Sequence, residues 1–329
     1  MKRIAINGMG RIGRASLKVI LESKDLTLVA INDILPIENL AYLLKYDSTY
    51  GRYEKEVIAS GDFLKVNGTT IAYFNERDPE SLPWKDLDID VVIESTGIFT
   101  QSQDAERHIK AGAKTVVISA PTKSQEVPTV VHGVNSSMGD TSIFSCASCT
   151  TNNISPIVEI LGRRVGIHKA IMTTIHAYTA SQSLMDSASP KNLRMGRAAA
   201  DNLVPTSTGA AIATTKALPE FMGKFDGVAV RVPVKVGSLS DMTFVTQRPV
   251  TPEEINRILE EEAAGVRYQG VLSTTREELV SSDIVGSPFA SIVDLNMTRV
   301  VDGDLLKVMA WYDNEWGFTH QMIKLIQGL

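Results

Sequence analysis

Cys149 sits in the run Ser148-Cys149-Thr150-Thr151-Asn152, directly ahead of a helical pattern over 151–161. A thiol at a helix N-terminus feels the positive end of the helix dipole, which lowers its pKa and raises its thiolate fraction. Cysteine is equally at home as a small buried hydrophobe. The flanking hydroxyls favour a polar pocket but leave both readings standing. Of the five histidines, His176 is the natural partner, because it ends the apolar run 169–175 and is followed by Tyr178-Thr179. A thiolate–imidazolium pair would supply a nucleophile and later a proton for a developing oxyanion or leaving group. His108, His132, His168 and His320 read as surface or satisfied core histidines.

Gly8-Met9-Gly10-Arg11-Ile12-Gly13 fits G-x-G-x-x-G, with a strand ending at Asn7 before it and a helix beginning by Ile12. In that setting Gly8 permits the tight turn, Gly10 admits a pyrophosphate against the backbone, and Gly13 allows close helix–strand packing. Asp33 ends the next strand, 20 residues after Gly13, where a carboxylate would accept from an adenosine ribose. Two further features suit an anionic substrate. Thr206-Ser207-Thr208-Gly209 opens a helix over 210–217, an anion-ready N-terminus. Arg231 interrupts the apolar run 228–233, as an outward-facing strand residue or as a bidentate phosphate ligand.

The elements that must position these residues divide the chain in two. Up to about residue 150, short β-branched runs (3–6, 26–31, 91–93, 115–118) alternate with helical spacing (12–21, 38–45, 104–111). Near-continuous apolar runs of this kind belong to parallel strands covered on both faces. Asn67-Gly68, between 63–66 and 69–72, predicts a hairpin inserted into the series. After residue 150 the strands are longer and more alternating (228–234, 241–247, 291–294, 305–311), which predicts a mainly antiparallel sheet in an α+β domain. Thr251-Pro252-Glu253-Glu254 reads as a capping box opening a helix through 262. Residues 178–209 are Ser-, Ala-, Thr- and Asn-rich with weak periodicity, a length of loop that is usually functional or interface-forming.

Composition excludes several classes. The 329 residues carry 33 Lys plus Arg against 38 Asp plus Glu, a net charge of −5 that offers no footprint for nucleic acid or anionic lipid as main partner. No apolar run approaches a membrane span. A strand from Lys2 leaves no room for a cleaved leader, so a cytoplasmic location is expected. Two cysteines make neither a disulfide framework nor a metal site.

Four segments together are distinctive: Ile6 to Arg14, Leu44-Lys45-Tyr46-Asp47-Ser48, Ser148 to Asn152, and Trp311-Tyr312-Asp313-Asn314-Glu315-Trp316-Gly317. Over essentially its whole length the chain resembles the phosphorylating glyceraldehyde-3-phosphate dehydrogenases. The resemblance implies a Rossmann-type NAD domain over 1–148, completed by a C-terminal helix at 315–329, and a catalytic and oligomerisation domain over 149–314. It implies an NAD(P)-dependent aldehyde dehydrogenase of glycolysis and gluconeogenesis. Cys149 would form a thiohemiacetal and then a thioacyl-enzyme, His176 would be the general base, and phosphate would release 1,3-bisphosphoglycerate. By the same resemblance Thr179 and Arg231 look like the substrate-phosphate site, and Ser148, Thr150, Thr208 and Gly209 like the inorganic-phosphate site. Asn7, Arg11, Ile12, Asp33, Arg77, Thr96, Gly97, Ser119 and Asn314 look like cofactor contacts. The 178–201 segment looks like the loop that reaches a neighbouring subunit's cofactor, which implies a homotetramer.

The chain departs from the family at a few places. Cys146 stands where the family usually has Asn, giving Cys146-Ala147-Ser148-Cys149. A reversible disulfide that shields the nucleophile is one reading, and a small buried residue is the other. Asp33 would repel a 2′-phosphate and favour NAD. Ser187-Ala188 replaces the usual Leu-Pro and resembles members that accept both cofactors, where a serine meets the 2′-phosphate; NAD preferred with NADP tolerated is the expectation. Ala180-Ser181 replaces Asn-Asp, and Phe318 is shared with the erythrose-4-phosphate dehydrogenase branch. The rival readings are therefore that tetrose enzyme and a non-catalytic nucleotide-binding redox sensor.

Overall fold

The structure, a computed structural model, describes residues 1–135, 141–189 and 192–329. The chain separates into two compact units. The first takes Met1–Val130, 141–147 and Met322–Leu329, and the second takes 131–135 and Ser148–Gln321. The C-terminal helix, Trp316–Gln327, is shared between them. Its last residues join the first unit, where Lys2 Nζ donates to the carbonyls of Ile326 (3.0 Å) and Gln327 (2.9 Å). Pro190 and Lys191, inside the expected 178–201 loop, lie outside the described residues.

The first unit is built on an eight-stranded sheet. Its centre is Lys2–Asn7, flanked in parallel by Leu26–Asn32 on one side and Val91–Glu94 on the other. The chain runs outward through Leu26–Asn32 to Thr69–Phe74, then returns to Val91–Glu94 and continues to Thr115–Ile118 and Ile143–Ser145. That reversal creates a switch point beside the carboxyl end of Lys2–Asn7, where open α/β sheets bind ligands. All four residues of Val91–Glu94 are buried, as expected for a strand covered on both faces. The Asn67-Gly68 turn joins Phe63–Val66 to Thr69–Phe74, with positive φ at both residues (48° and 83°) as a type I′ hairpin requires. That hairpin and Val57–Ser60 give the otherwise parallel sheet an antiparallel edge.

The second unit carries one continuous sheet whose central strands are Phe225–Val232, Ile167–Ala177, Ser238–Thr246 and Leu305–Tyr312. Most pairings are antiparallel, but Ile167–Ala177 pairs in parallel with Phe225–Val232, and Leu272–Thr275 does so with Ser291–Asp294. Three of its strands were not anticipated, among them Arg299–Val301, which pairs with Leu305–Tyr312. Val204–Ser207 lies within the weakly periodic stretch and gains its order from pairing with Phe225–Val232, and Leu272–Thr275 is only four residues long. The Cys149–Arg164 helix, almost wholly buried along its first three turns, packs beneath the sheet. The expected capping box is half-formed. Thr251 accepts from the Glu254 N–H (3.2 Å), but the Glu254 carboxylate is drawn to the Arg248 guanidinium (2.7 Å) instead of turning back to the Thr251 amide. A charge-assisted bond outcompetes a neutral one.

Candidate active site

The helix that begins at Cys149 starts because Ser148 caps it: the Ser148 hydroxyl accepts from the Thr151 N–H (3.0 Å) and also bonds the Thr151 hydroxyl (2.8 Å). Cys149 is thus the first helical residue, and the helix starts two residues earlier than the 151 that the helical spacing suggested. His176 comes from the penultimate position of Ile167–Ala177, and its Nε2 lies 3.5 Å from Cys149 Sγ. Parallel pairing puts Arg231 directly opposite His176 on the neighbouring strand. Arg231 Nη1 stands 2.7 Å from His176 Nδ1 and donates to Ala177 O (3.2 Å).

The imidazole's far nitrogen is contested. Ala177 O, also 2.7 Å from Nδ1, calls for a proton there, whereas a guanidinium, which only donates, calls for the lone pair. A neutral ring satisfies one at a time. With the proton on Nδ1, the Nε2 lone pair faces the thiol; with it on Nε2, the ring donates to sulfur.

Burial and the neighbouring charge act on both members of the pair. Burial pushes the Cys149 thiol up, and Arg231 and the Thr150 hydrogen bond only partly pull it back. Burial, reinforced by the facing Arg231 charge, pushes His176 down to about 3. Taking a charge out of water acts against the pull of the helix terminus, so burial disfavours the charged form of both the thiol and the imidazole. Neutral imidazole is the form that can accept a proton.

Behind the pair stands a residue that spacing did not single out. Tyr312 is buried, its hydroxyl bonds Thr150 Oγ1 (2.9 Å) and Thr174 Oγ1 (2.8 Å), and its ring meets His176 edge-on with centroids 5.9 Å apart. Its signal in the sequence was a polar-tipped aromatic at an inward position of an alternating strand. The neighbouring Asp313 accepts from the Glu315 and Trp316 amides (2.9 and 2.8 Å), starting the last helix. Asn314 accepts from Gly237 N (3.3 Å) and Ser238 Oγ (3.0 Å) within the second unit. Thr208 Oγ1 accepts from Ala210 N (3.2 Å) at the start of Ala210–Ala217, and nothing lies within 4 Å of where a Gly209 side chain would be. Thr179 bonds Ser181 Oγ (2.8 Å), and Ser187 bonds Ser183 Oγ (2.6 Å).

Cys146 is buried, and its thiol donates to Ile118 O (3.2 Å). Burial pushes it up to about 12. It takes the place of the small buried residue in the two readings above.

In the first unit a cavity of ≈ 410 Å³ opens at the switch point. Of the residues expected to bind cofactor, Asn7, Gly8, Gly10, Asp33, Arg77 and Thr96 line it. Arg11, Ile12, Gly13, Gly97 and Ser119 do not. Arg11 instead pairs with Asp47 (2.7 Å), which explains the Tyr46-Asp47-Ser48 segment; Gly97 holds φ at 73°; and the Ser119 amide donates to Glu94 O (3.0 Å). Asn32, Glu76, Ser95 and Phe99 also line the cavity, unpredicted because each is a strand-end or loop residue without a spacing signature.

The three turn glycines have separate physical reasons. Gly8 holds φ at 92°, and a Cβ there would lie 2.6 Å from Thr96 N. A Cβ on Gly13 would lie 2.0 Å from Gly8 O, so helix and strand need its absence. A Cβ on Gly10 would meet nothing within 4 Å, because it would point into open space at the cavity wall. That is a cradle for backbone approach to a phosphate, at a helix start with no side-chain cap. Asp33 is held at the rim by the Met9 amide (2.6 Å) and the Leu35 amide (2.9 Å), which leaves carboxylate lone pairs for a ribose. These residues fit a dinucleotide. Among the described residues no group of three or more metal-ligating side chains occurs, and no helix is long and apolar enough to cross a membrane.

Residues 2–102 match the family model "Glyceraldehyde 3-phosphate dehydrogenase, NAD binding domain", and residues 148–314 match that of the same family's C-terminal domain. Among curated relatives, glyceraldehyde-3-phosphate dehydrogenase 2 of Streptomyces avermitilis is 46% identical over 327 residues, covering 98% of this chain and 97% of the relative. The enzyme of Geobacillus stearothermophilus is 44% identical over 326 residues (98% and 96%). That of Haloarcula vallismortis is 45% identical over 329 (99% and 97%).

Proposed function

The chain belongs to the glyceraldehyde-3-phosphate dehydrogenase family, and from that premise we propose how its own residues perform the reaction. It is an NAD-dependent oxidoreductase acting on an aldehyde, D-glyceraldehyde 3-phosphate. The observation that carries the mechanism is the 3.5 Å approach of His176 Nε2 to Cys149 Sγ, with Arg231 on the ring's other nitrogen.

The substrate's phosphate takes the Arg231 guanidinium, with Thr179 beside it. Nδ1 is then free to donate to Ala177 O, and the Nε2 lone pair faces the thiol. As sulfur attacks the aldehyde carbon, the S–H proton passes to Nε2 and on to the new oxygen, giving a thiohemiacetal. Bound NAD supplies the acceptor for the hydride that leaves this carbon. His176 takes the hydroxyl proton in the same step, and Cys149 is left as a thioester. Inorganic phosphate, held by Ser148, Thr150, Thr208 and Gly209, attacks the acyl carbon. The C–S bond breaks, 1,3-bisphosphoglycerate departs, and imidazolium returns the proton to the thiolate.

Cofactor choice follows from charge. Asp33 presents its carboxylate at the cavity rim, so a 2′-phosphate there meets repulsion. NAD is preferred, and Ser187 leaves NADP tolerated. The assembly is a homotetramer. In the second unit's sheet one face is buried, while Ile171, Val228 and parts of Ile175, Leu239, Met309 and Trp311 remain exposed on the other. An apolar outer face of that kind is covered by another copy of the chain. The enzyme works in the cytoplasm.

The direct test follows NADH formation with the triose phosphate and with erythrose 4-phosphate, with and without inorganic phosphate, using NAD and NADP. Phosphate-dependent turnover of the triose with NAD is the expected result. Faster turnover of the tetrose, or none of either with reduced thiols, overturns the reading.

A further inference from the structure

Beneath the cofactor cavity lies a chain of buried polar side chains that the reaction leaves unused. Trp84, His108, Glu94, Asn7 and Asn32 are all essentially inaccessible. Their hydrogen-bond directions can be worked out in order. The Trp84 indole N–H can only donate, and it lies 3.0 Å from His108 Nδ1, so that nitrogen is the acceptor. The imidazole proton therefore sits on Nε2, which donates to Glu94 Oε2 (3.1 Å). Asn7 Nδ2 donates to the same oxygen (2.6 Å), and Asn7 Oδ1 accepts from Asn32 Nδ2 (2.7 Å). Asn32 also clasps Glu76, donating to its carbonyl (2.9 Å) and accepting from its amide (2.9 Å). The other Glu94 oxygen accepts from the Thr96 amide (2.8 Å) and from the Thr96 hydroxyl.

One carboxylate thus receives four donors and is fully matched as an acceptor. What it holds, directly at Asn7 and Thr96 and through Asn7 at Asn32 and Glu76, is specific: all four residues belong to the wall of the dinucleotide cavity. They come from the ends of four different strands or the residues just beyond. A core stabilised only by packing would place apolar side chains here, because burying an acid is costly unless every lone pair is matched.

We propose that Glu94, braced by His108, is a positioning residue for the cofactor, holding the strand ends that wall the cavity in their binding geometry before NAD arrives. The proposal rests on the cavity being the dinucleotide site. His108 has a defined part in it. Its neutral Nε2–H tautomer, fixed by Trp84, presents a donor to Glu94 without adding a charge. Replacing the carboxylate by an amide sets its NH2 either against the two donors His108 and Asn7 or against the Thr96 amide, whose hydroxyl can turn to accept, so Asn7 or Thr96 is freed to move.

The test is NADH affinity of the intact enzyme by fluorescence titration, with unfolding temperature measured beside it. NADH binding by the wild type, tested alone, checks the cavity assignment independently. Glu94→Gln is expected to weaken NADH about tenfold or more, the size of losing a bond to a buried charge. His108→Gln keeps a donor toward Glu94 and is expected to stay within about threefold of wild type, whereas His108→Leu removes it and loses about tenfold. Both His108 variants lose the ring's packing, so unfolding temperature falls in each, and only affinity separates them. Equal NADH affinity for His108→Gln and His108→Leu overturns the proposal, as does Glu94→Gln binding within twofold of wild type. If Glu94→Gln does not fold, the contrast between the two His108 variants decides.

Discussion

Arg231 does two things at residue scale, and its substitution separates them. In the proposed mechanism it offers a charge to a substrate phosphate, and in the structure it presses on His176 Nδ1 at 2.7 Å. Arg231→Gln should cost about 10- to 10²-fold in kcat/KM for the phosphorylated aldehyde, since a charge-assisted contact is worth roughly 1.5–3 kcal/mol. Unphosphorylated glyceraldehyde should lose far less, and the ratio of the two kcat/KM values is the measurement. A second consequence concerns acid. The folded His176 binds a proton only near about 3, whereas in the unfolded chain it does so near 6.5. Between those values the unfolded state holds the extra proton, so stability falls as pH falls through that window. Denaturant melts from pH 7 to pH 4 should show a steeper loss for wild type than for His176→Gln. The two cysteines should also part company. Cys146 is buried with its thiol raised to about 12, while Cys149 lies partly open beside Arg231. Iodoacetamide on the native enzyme should label Cys149 alone, with Cys146 labelled only after unfolding. After mild oxidation, mass spectrometry should find sulfenic acid on Cys149 and no Cys146–Cys149 disulfide.

Among the elements, the glycine turn offers the sharpest contrast between binding and folding. Gly10→Ala adds a methyl where there is open space, at a residue whose φ of −67° suits alanine. It should leave the unfolding temperature nearly unchanged and weaken NADH severely, because the methyl occupies the phosphate's approach. Gly13→Ala sets a carbon 2.0 Å from Gly8 O and should destabilise the first unit by about 1–3 kcal/mol. Calorimetry and NADH titration on both variants check the pair. This turn was legible in the sequence because all its causes are local: a strand end, three glycines and a helix start within one stretch. The Asn67-Gly68 hairpin and the helix at Ala210–Ala217 were legible for the same reason. What stayed hidden depended on partners far along the chain. Val204–Ser207 is ordered by Phe225–Val232, and Tyr312 acquires its place from hydroxyls 138 and 162 residues away. The burial that raises the Cys149 thiol was hidden for the same reason: the helix end is local, whereas the burial is assembled from residues far along the chain.

For the molecule as a whole, the proposed assembly rests on the second unit's sheet. Along Ile167–Ala177 the inward residues Met172, Thr174 and His176 are buried, and the intervening Ile171 remains 60% exposed. Val228, which pairs with Thr173 on the adjacent strand, is 49% exposed on that same face. Antiparallel sheets that meet water on one side present polar residues there, and this one adds Ile171, Val228, Leu239, Met309 and Trp311 to Thr173, Asp241, Thr243 and Lys307 on that face. Leu193 and Leu203, 84% and 69% exposed, add to the apolar surface from the loop region. A tetramer of 35.8 kDa chains has a mass of about 143 kDa, which light scattering on a sizing column should find for the wild type. Val228→Asp puts a charge into the covered face without touching the buried one, so it should shift the mass to smaller species while each chain stays folded. Because the sheet that carries the apolar face also carries His176 and Arg231 on its strands, loss of the neighbour should loosen them. Turnover should then fall with dilution in the variant at concentrations where the wild type is unaffected. A wild-type mass equal to a single chain, or a variant mass unchanged, would remove this face as the assembly surface.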